Sequence, residues 1–332
     1  MLKNLHFLTS NQLTIQEVNR FIQEWSNSEP NIEVQTSGST GEPKKLSFKK
    51  KQLEASAQNT IQTFGVKKGA NAYLCLSTNT IAGKLMVIRA ILNDMELIVG
   101  DVSSDALERG LPEIELAAAV PLQLHHLIKN NVSFPKVKTL LIGGGPINDE
   151  ICRKLSYRGI TAIHTYGMTE TLTHVAYRRI GAMQEELFTP MPGVKLGHKE
   201  ERLTITYPAI GVQQLETKDL VQFNSNGQFS VVGRSDLIIN SGGIKFNPEE
   251  LEHQISSEMT VPYFFFGLPD DQLGEKIVLV CEGNVIQLTK EQLNRINNLL
   301  PAYANPKEVI YLEQFVRSES MKILRKETMN KH

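Results

Sequence analysis

Val137-Lys138-Thr139-Leu140-Leu141-Ile142-Gly143 is one of five short apolar runs, at 72–77, 95–100, 114–119, 137–143 and 161–165, whose reading decides the fold of this chain. The runs are rich in Val, Ile and Leu, and segments of helical length and period separate them. Strands of that composition are buried on both faces, which implies βαβ units and a parallel sheet covered by helices on each side. The expected class is therefore α/β. Downstream, at 202–207, 219–223 and 228–233, the runs are closely spaced and alternate, with Asn226-Gly227 as a hairpin signal, so a small antiparallel β subdomain should follow. After Gly233-Arg234 a new pattern begins. Asn247-Pro248-Glu249-Glu250 opens a helix with an N-cap, a first-turn proline and acidic residues near the positive helix end. Strands at 263–266 and 276–281, a helix at 290–300 and a basic tail complete a small α+β unit. The expected division is a large domain over 1–233 and a C-terminal domain over 234–332.

Bulk composition excludes some function classes. Lys and Arg number 35 against 36 Asp and Glu in 332 residues, a net charge of -1, so no electrostatic footprint for nucleic acid or an anionic membrane exists. Cys75, Cys152 and Cys281 form no C-x-x-C pair and suit buried apolar positions in a reducing compartment. No apolar segment approaches the roughly 18–20 residues that span a bilayer, and the polar stretch Thr9-Ser10-Asn11-Gln12 interrupts any leader-like core. A cytoplasmic protein without membrane insertion is expected; its oligomeric state is not encoded in any visible pattern.

Thr36-Ser37-Gly38-Ser39-Thr40-Gly41-Glu42-Pro43-Lys44 supplies hydroxyl donors and glycines that let backbone N–H groups converge in one concavity, with Lys44 as a point charge. Such a nest suits a polyphosphate. It is not a Walker loop, because the Gly-x-x-x-x-Gly-Lys-Ser/Thr spacing does not fit. A plain Ser/Gly surface loop has the same composition.

The stretch resembles the phosphate loop of the adenylate-forming superfamily of acyl-CoA synthetases, peptide-synthetase adenylation domains and luciferases, and five further motifs of that family follow in order. Tyr166-Gly167-Met168-Thr169-Glu170 is similar to its adenine and magnesium motif, Thr217-Lys218-Asp219 to its ribose motif, and Gly233-Arg234-Ser235-Asp236 with Ser241-Gly242-Gly243-Ile244-Lys245 to its hinge region. Gly267-Leu268-Pro269-Asp270 with Gly274-Glu275, and Ser320-Met321-Lys322-Ile323-Leu324-Arg325, resemble its C-terminal loop and catalytic-lysine tail.

The resemblance implies an acid–thiol ligase that uses ATP, Mg²⁺ and coenzyme A. Thr36, Ser37, Gly38, Ser39, Thr40 and Lys44 would hold the phosphates, and Glu170 the metal. Gly144, Tyr166, Gly167 and Thr169 would line the nucleotide, Asp219 and Arg234 the ribose. Lys322 and Thr169 would be catalytic, with Lys322 stabilising charge at the α-phosphate. Asp236 would be the hinge of a mobile C-terminal domain, and Gly242 and Gly243 would line the coenzyme A path. A basic tail around Lys322, a surface ion pair of Asp219 or Arg234, and ordinary turns at Gly144 and Gly242 are the plain alternatives. Met321 stands where the family normally has Gly.

In Thr80-Ile81-Ala82-Gly83, Thr80 takes the place of the His in the family's His-x-x-Gly motif, so Gly83 would face the acyl substrate. Arg89 lies six residues further on, inside an otherwise apolar helix, where a cation needs an anionic partner. The o-succinylbenzoate–CoA ligases of menaquinone synthesis are similar at this spacing, with an arginine for the substrate's second carboxylate. Asp94 or Glu96 could instead neutralise Arg89 internally. Other expectations compatible with the motifs are an aryl or fatty acyl-CoA ligase, a carrier-loading enzyme, and a catalytically decayed nucleotide-binding protein. Only 35 residues precede Thr36, fewer than the family usually has, so part of the acyl-pocket wall should be missing.

Overall fold

The computed structural model describes residues 4–35, 45–107, 110–130, 134, 136–147, 149–283, 287–318 and 323–331. The edge strand β1 (Leu5–Phe7) precedes helix α1 (Gln12–Ser26), which Asn11 opens by accepting from the backbone N–H of Leu13 at 3.0 Å. β2 (Asn31–Gln35) and β3 (Lys45–Lys49) pair as an antiparallel hairpin with Gln35 opposite Lys45, which brings the two ends of the expected phosphate loop together. The loop itself, 36–44, lies outside the described residues.

The chain continues through α2 (Lys50–Thr63), β4 (Asn71–Leu74), α3 (Ile81–Leu92), β5 (Glu96–Val99), β6 (Ile114–Ala119), α4 (Pro121–Lys129), β7 (Val137–Ile142), α5 (Asp149–Tyr157), β8 (Thr161–Met168), β9 (Thr173–Gly181) and β10 (Thr189–Pro190). The main sheet runs β1-β5-β4-β6-β7-β8-β9-β10, parallel from β1 to β8 and antiparallel at β9 and β10. Alternate strand residues feed two cores, as the two-residue period of a strand requires. Leu74, Leu97, Val99 and Leu116 pack with Leu53 and Ala57 of α2 and Leu85 and Ile88 of α3. Tyr73, Ile98, Ala117, Leu140 and Ile142 pack with Leu124 and Leu127 of α4 and Ile151 and Leu155 of α5. Burial on both faces is why these strands read as continuous apolar runs. All three cysteines are buried, and burial pushes the Cys75 thiol up to about 12.

β11 (Lys195–Lys199), β12 (Arg202–Tyr207), β13 (Val212–Phe223) and β14 (Phe229–Arg234) form the expected antiparallel sheet, with Gly227 at φ +75° in the turn before β14. Its Leu203, Ile205, Tyr207 and Phe229 join the core of α2 and α3. A further sheet contains β15 (Ile239–Ser241), β16 (Ile244–Phe246), β17 (Tyr263–Asp270), β18 (Gly274–Glu282) and β19 (Glu308–Leu312), with α6 (Pro248–Gln254), α7 (Lys290–Leu299) and α8 (Arg325–Asn330) beside it. Asn247 caps α6 by accepting from the Glu249 N–H at 3.1 Å. This sheet has cores of its own, around Phe265 and Leu279 on one face and Phe264 and Val280 on the other.

α3 is buried along most of its length and apolar except for Lys84 and Arg89, as suits a helix sandwiched inside a core. Thr80 is its N-cap, donating to the Ser77 carbonyl at 2.8 Å and accepting from the Gly83 N–H at 3.3 Å. Gly83 is required by packing: a Cβ there would lie 2.1 Å from the Ser77 carbonyl oxygen, and backbone cannot yield as a side-chain tip can. Gly83→Ala should therefore lower stability by about 1–3 kcal/mol, the usual cost of overpacking a core; urea unfolding of the two proteins measures it, and an unchanged midpoint would contradict the close contact.

Candidate active site

The register of β13 and β14 sets Asp219 opposite Arg234, and Arg234 Nη1 donates to Asp219 Oδ1 at 3.0 Å. Tyr166, near the end of β8, donates its hydroxyl to Asp219 Oδ2 at 2.5 Å. Three residues far apart in sequence thus meet at one buried carboxylate. Each Asp219 oxygen keeps a lone pair beyond its donor, so the group can still accept from a vicinal diol. Burial, followed by the Asp219 charge, drives the Tyr166 phenol well above its usual range and keeps it a donor. Arg234 is held from its other side by Asp236, through Nε–Oδ1 at 2.9 Å and Nη2–Oδ2 at 3.1 Å, and Lys218 reaches Asp236 at 3.3 Å.

Gly143, Gly144 and Gly145 follow β7, with Gly144 at φ +90°, a conformation that favours glycine. His164 of β8 supports this turn. Arg178 can only donate, and its Nε lies 3.2 Å from His164 Nδ1, so the proton sits on Nε2 and points to the Gly145 carbonyl at 3.2 Å. Burial and the Arg178 cation lower the His164 pKa to about 3, which keeps the ring neutral. This histidine is one alternating strand residue among several, and nothing in its spacing marks it.

After Met168 the chain makes a short 3-10 turn, Thr169–Thr171, that carries exposed Glu170 at its rim. Thr171 is fully buried and staples the turn: its hydroxyl donates to the Thr173 carbonyl at 2.8 Å and accepts from the Met168 N–H at 3.1 Å. Leu172 and Thr173 then adopt φ +50° and +81°, rare for a side-chain-bearing residue and strained for a β-branched one. β9 consequently passes so close to β8 that a Cβ on Gly167 would lie 1.9 Å from the Thr173 carbonyl oxygen. Among the described residues no cluster of three or more His, Cys, Asp or Glu exists to cage a metal. A single carboxylate such as Glu170 fits Mg²⁺, which takes most of its oxygens from phosphate and water.

α3 contains two buried cations, and they are treated differently. Lys84 Nζ lies 3.2 Å from Glu24 of α1 and 4.3 Å from the Phe21 ring centroid. Burial lowers the Lys84 pKa, and Glu24 partly offsets the effect. Arg89 is 2% exposed, yet among the described residues its guanidinium meets only Met86 Sδ at 3.7 Å and Thr173 Oγ1 at 3.3 Å, and Nε has no hydrogen-bond partner there. Internal neutralisation of Arg89 by Asp94 or Glu96 does not occur: Asp94 pairs with Lys68 at 2.8 Å and Glu96 with His6 at 2.7 Å. Burial without a carboxylate pulls the Arg89 pKa down to about 9.

Gly242 and Gly243 form the β15–β16 turn at φ +60° and +80°. Lys322, Met321 and the segment 36–44 lie outside the described residues, so their geometry adds nothing to the site.

For Asp236, burial raises the pKa, but hydrogen bonds and charge from Arg234 and Lys218 outweigh it and hold the carboxyl below its usual value. A carboxyl with a depressed folded pKa contributes stability above its unfolded pKa and loses it as pH falls through the folded one. The stability difference between wild type and Asp236→Asn should be constant above about pH 5 and shrink below about pH 4. Denaturation midpoints across that range test this; a gap that persists at low pH would mean the Arg234–Asp236 pair is not its source.

Residues 20–211 match the AMP-binding enzyme family. The chain is 26% identical to a 2-succinylbenzoate–CoA ligase of Listeria monocytogenes, over 94% of this chain and 72% of that protein. It is also 26% identical to one of Bacillus mycoides, over 92% and 71%. Among solved structures, the acyl-CoA synthetase (AMP-forming)/AMP-acid ligase II-like protein of Dyadobacter fermentans is 30% identical, with TM-score 0.62, and 97% of this chain covers 95% of that one. The O-succinylbenzoate coenzyme A synthetase of Bacillus subtilis, solved with ATP and magnesium, shares the fold at TM-score 0.77 and 19% identity, over 90% of this chain and 69% of that one. The chain belongs to the AMP-binding enzyme family and is an ATP-dependent, AMP-forming ligase.

Proposed function

We propose that this ligase acts on o-succinylbenzoate, converting it to an acyl-AMP and then to a coenzyme A thioester. The observation that carries the reading is Arg89, a fully buried guanidinium with no carboxylate partner among the described residues, on the same helix as Lys84, which has Glu24 of α1. An uncompensated buried cation is costly, and a dicarboxylic acid would supply the missing anion with the carboxylate it does not activate. Relatives named 2-succinylbenzoate–CoA ligase support the same substrate.

In this reading a carboxylate oxygen of the acid attacks the α-phosphorus, the new O–P bond forms, and pyrophosphate leaves. The thiol of coenzyme A then loses its proton, its sulfur attacks the acyl carbonyl, and AMP leaves. Asp219 and Arg234 hold the ribose, Tyr166 fixes Asp219, and Gly144 and Gly167 give the nucleotide close access to backbone. Glu170 and Thr169 serve the metal and the reacting phosphate. Thr36, Ser37, Gly38, Ser39, Thr40 and Lys44 take the departing phosphates, and Lys322 neutralises charge at the α-phosphate. Gly83 lets α3 pack against Ser77 beside the acyl group, and Gly242 and Gly243 lie along the thiol path. A division into units 1–233 and 234–332, with Asp236 near the start of the second as the hinge, is supported by the separate cores on either side, and a swing about it would serve the two half-reactions in turn.

Acid-dependent release of AMP and pyrophosphate, measured over a panel of carboxylates with and without coenzyme A, tests the substrate. Turnover of monocarboxylates with o-succinylbenzoate inert would refute it. Lys322→Ala should cut adenylation by about 10²-fold or more while sparing thioester formation from supplied acyl-AMP; equal loss in both steps would contradict the assignment. Arg89→Met should raise the melting temperature, because it removes an unpaired buried charge, and raise KM for the acid. A fall in melting temperature would show that Arg89 is kept for structure.

A further inference from the structure

Arg89 is tied into a line of side chains that runs from half-buried Thr173 to buried His174 and Thr60. Its Nη2 lies 3.3 Å from Thr173 Oγ1, Thr173 Oγ1 lies 3.4 Å from His174 Nδ1, and His174 Nε2 lies 3.0 Å from Thr60 Oγ1 of α2. Thr60 in turn donates to the Ser56 carbonyl at 3.1 Å. A guanidinium can only donate, so the Thr173 oxygen accepts from it and the Thr173 hydroxyl proton is free for His174 Nδ1. With the Thr60 proton spent on the Ser56 carbonyl, Thr60 accepts from His174 Nε2, which then carries the ring proton and leaves Nδ1 bare to accept from Thr173.

His174 and Thr60 are almost fully enclosed, at 6% and 0% exposure, so the bond between them is shielded from solvent, while Thr173 is half-buried. Burial, with the Arg89 cation second, holds His174 far below the usual histidine range, so the ring is a neutral dipole rather than a second cation beside Arg89. Thr173 faces Arg89 from a backbone at φ +81°, and the close passage of β9 across Gly167 leaves that backbone little room to relax. Strain of this kind persists only where surrounding structure imposes it, and it clusters at functional positions.

We propose that Thr173, His174 and Thr60 are positioning residues that orient the Arg89 guanidinium for the second carboxylate of the acid, and so determine specificity for a dicarboxylic substrate. The inference rests on the substrate reading of Arg89 given above. The line holds one Nη group of Arg89 against β9 and leaves Nε without a partner among the described residues, so the donor available to the anion is set by the anchoring of its neighbour. Because the anchor is a hydroxyl–imidazole–hydroxyl sequence with no net charge, it fixes orientation without neutralising the cation that the substrate must meet.

The test compares Thr173→Val, which keeps the branched shape but removes the hydroxyl, with Thr173→Ser, which keeps the hydroxyl. Steady-state kinetics would use o-succinylbenzoate and its two monocarboxylate analogues, each lacking one carboxylate. Thr173→Val should raise KM for o-succinylbenzoate by about 10-fold, the scale of a lost hydrogen bond to a charged group. It should change kcat and KM for ATP little and leave the reactive monocarboxylate unaffected, and Thr173→Ser should recover most of the loss. In protein labelled with ¹⁵N-histidine, His174 should show protonated Nε2 and bare Nδ1, with the Nδ1 resonance moving in Thr173→Val. If Arg89→Met raises KM for o-succinylbenzoate but Thr173→Val does not, or if His174 carries its proton on Nδ1, the positioning proposal is overturned and the role of Arg89 survives. If Arg89→Met itself leaves KM unchanged, the substrate reading fails first and the positioning role falls with it.

Discussion

A cation inside a helix that is buried on every side loses its hydration, and only an anion or a full set of acceptors can offset the loss. α3 imposes this constraint twice, and the molecule answers it in two ways. At Lys84, α1 supplies Glu24 and the Phe21 ring, so the charge is neutralised and the N-terminal helix is tied to the core. At Arg89 no described residue supplies a carboxylate, although Asp94 and Glu96 are near in sequence and each is engaged elsewhere. The surrounding architecture follows: Gly83 lets the helix sit tight against Ser77, and the strained start of β9 brings Thr173 to the guanidinium.

The remaining polar groups gather where the parallel strands end. Tyr166 and Gly167 close β8, the three glycines follow β7, and Thr80 caps the helix that follows β4. In open α/β sheets ligands bind outside the carboxyl ends of the strands, because the loops there are free to carry function while the sheet stays rigid. Asp219 and Arg234 approach the same end from the small antiparallel sheet, and the Tyr166–Asp219 bond ties the two sheets together at the place where the nucleoside would lie. The Arg234–Asp236 pair carries that network to the border of the C-terminal sheet.

How much of this was legible depends on the range of the forces involved. The parallel strands read directly from 72–77 to 161–165 because burial on both faces leaves a continuous apolar run, and β6 and β12 match their expected limits. β1, α1 and β9 were not anticipated: β1 has three residues, and β9 mixes buried apolar positions with half-exposed arginines, as an antiparallel strand near an edge does. Arg89 stood out as a charge in an apolar helix, but the diversion of Asp94 and Glu96 to Lys68 and His6 is a tertiary fact. Thr171, His164 and His174 carried no local signal at all, since their roles arise from a bulge and from strand pairing. The Asp219–Arg234 contact follows from register, which the motifs alone did not specify. The phosphate stretch 36–44 and Lys322 are legible as motifs and lie outside the described residues.

The central claim is that the Arg89 charge is buried for a second carboxylate on the substrate. Equilibrium binding of two non-hydrolysable acyl-adenylate analogues that differ only in that carboxylate tests it without reference to turnover. The account predicts that wild type binds the dicarboxylate form at least roughly 10-fold more tightly and that Arg89→Met erases the difference. Equal affinity of wild type for the two analogues would contradict it.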